Sequence, residues 1–329
     1  MSEHPLVSVV IATYNRPAYL RSAIASVLRG NYQNFEIVVT DDAGSSDNSL
    51  VVDSFGDHRL RYRRNATRLG SAGNHRAGLA LATGEYVGLL NDDDEWEPEF
   101  LERVVPIIHA NPEVVVGFSD HWVVNAKGDI DGAATDECTR RFKRDTLSPG
   151  LHRPFYRIGL VDQSVPMVAA LLRRNAIDWE DAPQETSSIY DFWVVYLAVR
   201  TGMGAYYLPE RLARYRVHPA NETSIGGERF KRPPIFVYSR LVEDPALAEL
   251  KPELQARLQD ARCSYGVFLL RNGSRDRARQ YLRAAMPGRR AAVALALSFA
   301  PKRVRSLVFS ALASEDSVGV NNEQPPDES

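Results

Sequence analysis

The sequence predicts an α/β fold in which a mostly parallel sheet is flanked by helices and followed by a C-terminal helical appendage. Three observations predict it. Short β-branched, apolar runs alternate with stretches of helical periodicity through the first third of the chain, as crossover connections between parallel strands require. Three of those runs end directly in polar clusters, at 13–16, 41–42 and 91–94, which is where ligands of such sheets sit. From about residue 230 the strand signal stops and helical segments rich in Ala, Leu and Arg take over.

In order, 6–12 reads as a buried strand, and Thr13-Tyr14-Asn15-Arg16-Pro17 as a loop opening a helix over 18–28 with Pro17 in its first turn. A second strand, 35–40, runs into Asp41-Asp42-Ala43-Gly44-Ser45-Ser46-Asp47, and a helix capped by Ser or Asp follows over 48–55. A third strand is expected at 60–63, a helix at 73–82, a strand at 86–90 and a helix at 99–110. Beyond these, 114–125 reads as a strand, Lys127-Gly128-Asp129 as a hairpin turn, and 165–174 as an apolar segment. The Arg- and Pro-rich stretch 135–160 is expected to be a long loop. A helix is expected over 192–199, further helices over 246–270, 275–285, 291–299 and 304–312, and a disordered tail at the end. This divides the chain into an α/β domain, 1–228, with halves at about 1–112 and 113–228, a helical region, 229–316, and a tail, 317–329.

Composition narrows the classes. A 44% hydrophobic and 25% charged chain with formal net charge -2 is an ordinary globular protein without the basic footprint of a nucleic-acid binder. The two cysteines, Cys138 and Cys263, lack metal-type spacing and read as buried free thiols, which suits a reducing cytoplasm. Neither a signal peptide at the N-terminus nor an uninterrupted apolar run of spanning length is present in the sequence, so a cytoplasmic protein is expected. Peripheral membrane contact enters through the C-terminal helices. Arg289, Arg290, Lys302, Arg303 and Arg305 flank an Ala/Leu/Val-rich segment, and packing on the α/β domain with a solvated basic face is the equal alternative.

Asn91-Asp92-Asp93-Asp94-Glu95-Trp96-Glu97-Pro98 directly follows the apolar run 85–90. Carboxylates packed this closely repel and raise one another's pKa unless a cation or water neutralises them. Hard oxygen ligands suit Mg2+ or Mn2+, ions that keep part of their shell for substrate phosphates. The competing reading is an acidic first turn for the following helix.

These segments together resemble glycosyltransferase family 2. The resemblance rests on 8–16, on the strand ending in Asp41-Asp42, on the run from Arg68-Leu69-Gly70 to Glu85-Tyr86 and on the aspartate cluster, and it covers roughly 5–225. It implies the GT-A fold and an inverting transfer of sugar from a nucleoside-diphosphate sugar, UDP-sugars favoured, to a glycan or lipid-linked acceptor in cell-surface glycan, glycolipid or polysaccharide synthesis. It implies Mn2+ or Mg2+ as cofactor. By the same resemblance Thr13, Tyr14, Asn15 and Arg16 lie against the nucleoside, Asp42 binds the base with Asp41 as the register alternative, and Asp92 lies near ribose or sugar. Asp93, with Asp94 as a neighbouring candidate, matches the metal-binding acid, although Asn91 stands where the commoner form has its first Asp. His218, in Arg214-Tyr215-Arg216-Val217-His218, matches a second metal or diphosphate contact beside Arg216. Asp191 matches the catalytic base, with Glu185 in reserve, and helix capping is its ordinary alternative role.

Asp120, Trp122, Phe192 and Trp193 are candidates for sugar contact or core. His75 and Arg76 stay outside the core site. A sugar-phosphate nucleotidyltransferase or a dehydrogenase fits less well, because 13–16 has no glycine to let backbone amides cradle phosphates. A non-catalytic relative with a decayed site remains the other class.

Overall fold

The computed structural model describes residues 4–179, 183–218, 227–301 and 303. In order, β1 (Val7–Thr13), α1 (Pro17–Leu28), β2 (Phe35–Asp41), α2 (Asn48–Asp53), β3 (Leu60–Arg64), α3 (Gly70–Leu79), β4 (Tyr86–Asn91), β5 (Glu95–Trp96) and α4 (Phe100–Ala110) form the first half. There follow β6 (Val114–Val124), α5 (Gly132–Arg141), β7 (Gly150–His152), β8 (Ala170–Arg173), α6 (Tyr190–Arg200), β9 (Gly204–Arg216), α7 (Glu228–Lys231) and α8 (Pro233–Glu243). The last three helices are α9 (Lys251–Arg271), α10 (Arg275–Ala284) and α11 (Arg289–Leu297).

One sheet runs β3-β2-β1-β4-β8-β6-β9-β5, with β7 also on β9. The β3-β2-β1-β4 part is parallel throughout, whereas β8 inserts antiparallel between β4 and β6 before the parallel pair β6–β9. Val9, Val10, Ile11, Ile37, Val38 and Val39 are fully buried, as strands covered on both faces must be. Register then positions the chemistry. Thr13 pairs with Asp41, and Ala12 pairs with Asn91, so the polar ends of β1, β2 and β4 come out side by side on one rim.

The helix α3 lies close over this rim. A methyl at Gly78 would run into the Val10 side chain, and Thr40 stands behind it. Gly78→Ala is therefore expected to lower stability by about 1–3 kcal/mol, the usual cost of overpacking a tight contact. Urea unfolding checks this, and a midpoint equal to wild type would contradict so close an approach.

One expectation is corrected. The stretch 135–160 is not one long loop: α5 occupies its start, capped by Asp131 accepting from the Ala134 amide, and β7 adds to the β9 edge. The chain forms two compact units, Met1–Leu254 and Gln255–Ser329. Within the first, Tyr238 of α8 packs on Phe192 and its hydroxyl accepts from Gln163. The expected helix at 304–312 and the tail lie outside the described residues. Among the described residues no helix is long and apolar enough to cross a membrane.

Candidate active site

The acid cluster is held by partners from two other segments, 13–16 and 216–218. Asp92 accepts from the Thr13 hydroxyl at 2.7 Å and from Arg16 Nη1 at 3.2 Å. Arg16 Nη1 also donates to Asp93 Oδ2 at 2.7 Å, and His218 Nε2 lies 3.1 Å from the same oxygen. His218 reaches it because β9 runs beside β6 and β5 to the end of the cluster, and Tyr19 of α1 stacks on its ring at 4.8 Å. Asp94 turns the other way: it accepts from the Arg216 amide at 2.9 Å and from Asn91 at 3.2 Å, tying β9 to the turn. Arg216 completes the tie through the Asp93 carbonyl and Glu95.

So many acids in one dry place carry surplus negative charge. Burial, then the charge of Asp93, pushes Asp92 up to about 7 against the pull of Arg16 and Thr13. Burial and Asp93 likewise push Asp94 well above the usual carboxylate range. A divalent cation would relieve this charge. Asp93 and His218 meet at one point and supply a carboxylate and an imidazole nitrogen, so the residues fit a cation that takes its remaining ligands from phosphate and water. Among the described residues no three His, Cys, Asp or Glu side chains converge on a common point, so the protein side of such a site is sparse.

A cleft of about 530 Å³ opens above the rim. Thr13, Tyr14, Arg16, Asp42, Asp92, Asp93 and Asp191 line it, and Asn15, Asp41, Asp94 and His218 do not. Asn15, at positive φ, turns outward and its Oδ1 accepts from the Ser46 amide at 3.0 Å. Asp41 is fully buried and bonded by the Gly44 amide, Asn48 and the Tyr62 hydroxyl, so it shapes the loop after β2 and faces away from the cleft. Asp42 accepts from the amides of Leu69 and Gly70 at 2.6 and 2.9 Å. It thus caps α3 from the cleft wall, combining the capping alternative with a cleft position. Arg68, from the same turn, lies 4.0 Å over the Tyr14 ring.

The opposite wall comes from α6 and the segment before it. Asp191 stands in the first turn of α6 and, among the described residues, receives no capping or side-chain hydrogen bond. Its carboxylate stays partly open to the cleft. Burial raises its pKa, Asp93 raises it further, and His75 would lower it only when protonated. The reserve candidate Glu185 is exposed and outside the cleft wall, where Gln184, Ser187 and Ser188 stand. Ser187 adopts φ 39°, a strained conformation for a non-glycine residue at a ligand wall.

Other candidates sort by burial. Trp193 is fully buried in the core, whereas Phe192 is half-buried and packs on Tyr238. Asp120 and Trp122 line a separate cavity with Arg144 and Arg211. There Arg144 pairs with Asp120 at 2.9 Å and Arg211 covers the Trp122 ring at 4.6 Å. Sequence reasoning missed Tyr19, Asn74, Tyr190, Tyr215 and Arg229. Of these, Asn74 carried the clearest signal, a polar residue following the small-residue run Gly70–Gly73 at the start of α3. Its amide donates to the carbonyls of Thr13 and Thr40 and so clamps β1 to β2.

A half-parallel sheet with a cleft at the carboxyl ends of its strands, an acid pair at the end of β4 and a carboxylate on the facing helix define the GT-A class. Residues 8–150 match the profile of glycosyl transferase family 2, and the chain belongs to that family. An uncharacterized glycosyltransferase of Nostoc sp. is 32% identical over 223 residues, 65% of this chain and 66% of that protein. The chain's match thus spans about two thirds of the length of the curated relatives. The Escherichia coli enzyme UDP-Glc:alpha-D-GlcNAc-diphosphoundecaprenol beta-1,3-glucosyltransferase WfgD is 32% identical over 120 residues, 36% of this chain and 47% of that enzyme. Among solved structures, S. aureus TarS in complex with UDP-GlcNAc superposes with TM-score 0.61 at 17% identity, over 86% of this chain and 82% of that one. The mannosyltransferase PcManGT from Pyrobaculum calidifontis, in complex with GDP-Man and Mn2+, superposes with TM-score 0.58 at 19% identity, over 93% and 84%. Both structures share the fold.

Proposed function

We propose that the chain is an inverting glycosyltransferase moving a sugar from a nucleoside-diphosphate sugar, UDP-sugars favoured, to a hydroxyl of a glycan or lipid-linked acceptor. The observation that carries this is Asp191: a carboxylate with no hydrogen bond among the described residues, on the wall of the cleft that also holds Asp93 and the Thr13–Arg16 loop. Its raised pKa gives it the basicity to take a proton from an acceptor hydroxyl. As that proton moves to Asp191, the acceptor oxygen bonds to the anomeric carbon from the face opposite the leaving group. The bond from that carbon to the phosphate oxygen breaks, and the nucleoside diphosphate leaves. Arg16 stands on the cleft wall for the anionic part of the donor, and Asp42 and Tyr14 flank the nucleoside end. Asp93 and His218 are the residues that would hold Mn2+ or Mg2+, whose contribution when bound is to neutralise charge on the departing diphosphate. The similarity to WfgD, named for a UDP-Glc donor and a diphosphoundecaprenol-linked acceptor, supports the donor and acceptor classes.

Labelled UDP-glucose, UDP-N-acetylglucosamine and GDP-mannose, each incubated with the protein, Mn2+ and a membrane extract, test the reading. Label passing from one donor into butanol-soluble lipid or polymer is expected. Absence of transfer from all three would count against the proposed donors.

The second unit bears on the acceptor. Between 271 and 305 the chain has ten basic residues and one acid, against a net charge of -2 overall. On that unit Met286, Val293 and Phe299 are exposed apolar side chains, with Arg289 and Arg290 exposed at the start of α11. Apolar side chains among arginines suit the interface of an anionic bilayer, with about 1 kcal/mol expected per basic residue near the surface. We expect co-sedimentation with phosphatidylglycerol vesicles at low salt but not with phosphatidylcholine, and a loss of binding in Val293→Glu/Phe299→Glu. Equal recovery in the supernatant with both lipids would remove membrane contact and leave the transferase proposal standing.

A further inference from the structure

His75 and Tyr190 are stacked on each other, ring centroids 5.4 Å apart, and both line the cleft beside Asp191. Both are deeply buried, at 3% and 1% exposure. His75 Nδ1 lies 2.9 Å from the Ser71 carbonyl oxygen one helical turn back. A carbonyl only accepts, so Nδ1 carries the hydrogen, and in the neutral ring Nε2 is a bare acceptor. Among the described residues neither this Nε2 nor the Tyr190 hydroxyl has a hydrogen-bond partner. Native interiors leave few such atoms, and here two stand on stacked rings where α3 meets the start of α6 at the cleft.

We infer that His75 and Tyr190 form a subsite for a hydroxyl of the sugar being transferred, an inference that rests on the transferase reading above. A sugar hydroxyl is at once donor and acceptor, so it can donate to His75 Nε2 and accept from the Tyr190 hydroxyl, satisfying both. A phosphate oxygen fits less well, because the bare Nε2 and the phosphate are both acceptors. His75 is carried by α3, whose first turn is held to the cleft wall by Asp42, and Tyr190 directly precedes Asp191 in α6. The two residues thereby become determinants of which sugar is accepted, since a site built to hydrogen-bond a hydroxyl discriminates against donors lacking it.

Calorimetric titration with UDP, UDP-glucose, UDP-N-acetylglucosamine, GDP and GDP-mannose, in the presence of Mn2+, tests this in wild type, Tyr190→Phe and His75→Phe. Tyr190→Phe keeps the stacked ring and loses only the hydroxyl, which guards against a folding defect. Each variant is expected to raise the Kd of the preferred nucleotide sugar by about 3- to 30-fold, the range for losing a buried hydrogen bond. The Kd of the matching free nucleoside diphosphate should stay within about twofold, since it carries no sugar hydroxyl to lose. Unliganded Tyr190→Phe should melt at or above the wild-type temperature, because an unpaired buried hydroxyl has been removed. Equal weakening of nucleotide and nucleotide sugar would overturn the subsite and place the pair at the diphosphate or in the framework. Unchanged nucleotide-sugar affinity would also overturn it and turn the pair towards the acceptor. Failure of wild type to bind any of the five would overturn the transferase reading, and the subsite with it.

Discussion

Asp191→Asn is expected to bind a nucleoside diphosphate as well as wild type and to transfer sugar about 10²- to 10⁴-fold more slowly, the range that a positioned general base contributes. The substitution keeps the volume of a side chain that, among the described residues, makes no hydrogen bond, so the fold has little reason to respond. What is lost is the proton acceptor. The pH profile carries the same signature with a definite sign. Burial, as the leading cause, raises the folded pKa of Asp191, so its ionised, basic form is depleted as pH falls through a value above the ordinary aspartate range. The wild-type rate should therefore rise with pH along a limb that Asp191→Asn lacks. Turnover equal to wild type, measured as nucleoside diphosphate released per unit time, would remove Asp191 as base.

Asp93→Ala carries the second large effect. Asp93 is the point at which Arg16, His218 and the cleft meet, and it raises the pKa of Asp92, Asp94 and Asp191. Its loss should abolish stimulation by Mn2+ and lower transfer by about 10²-fold or more, since a bound cation supplies several kcal/mol of charge stabilisation. It should also let Asp92 ionise at lower pH, because one of the two causes that push Asp92 up to about 7 is gone. The two effects separate cleanly. An activity loss without loss of Mn2+ dependence would assign Asp93 to substrate contact and move the cation elsewhere.

The rim of the site was legible because each parallel strand is a continuous apolar run that stops where polar residues begin. Thr13, Asp41 and Asn91 fall at those stops, and register then brings them together. Which way each acid of a run points was not legible. Asp93 faces the cleft while Asp94 ties down β9, and Asp42 reaches the wall while Asp41 is enclosed by Gly44, Asn48 and Tyr62. Neighbouring residues of equal chemistry differ there only in backbone direction after a strand end, which long-range partners decide. The helix α5 was missed because only Thr135 of its residues is buried, leaving no apolar stripe to read. The pairing of His75 with Tyr190 joins segments far apart in the chain, and a stacked pair of polar rings leaves no periodic trace.

The central claim is that the rim of β1, β2 and β4 binds a nucleoside diphosphate together with a divalent cation. Thermal denaturation with UDP, GDP, TDP and CDP, each with and without Mn2+, measures it directly, because a ligand that binds only the native state raises its apparent stability. The account predicts a manganese-dependent rise in Tm with one of the four, absent in Asp93→Ala. An unchanged Tm with every nucleotide would contradict it.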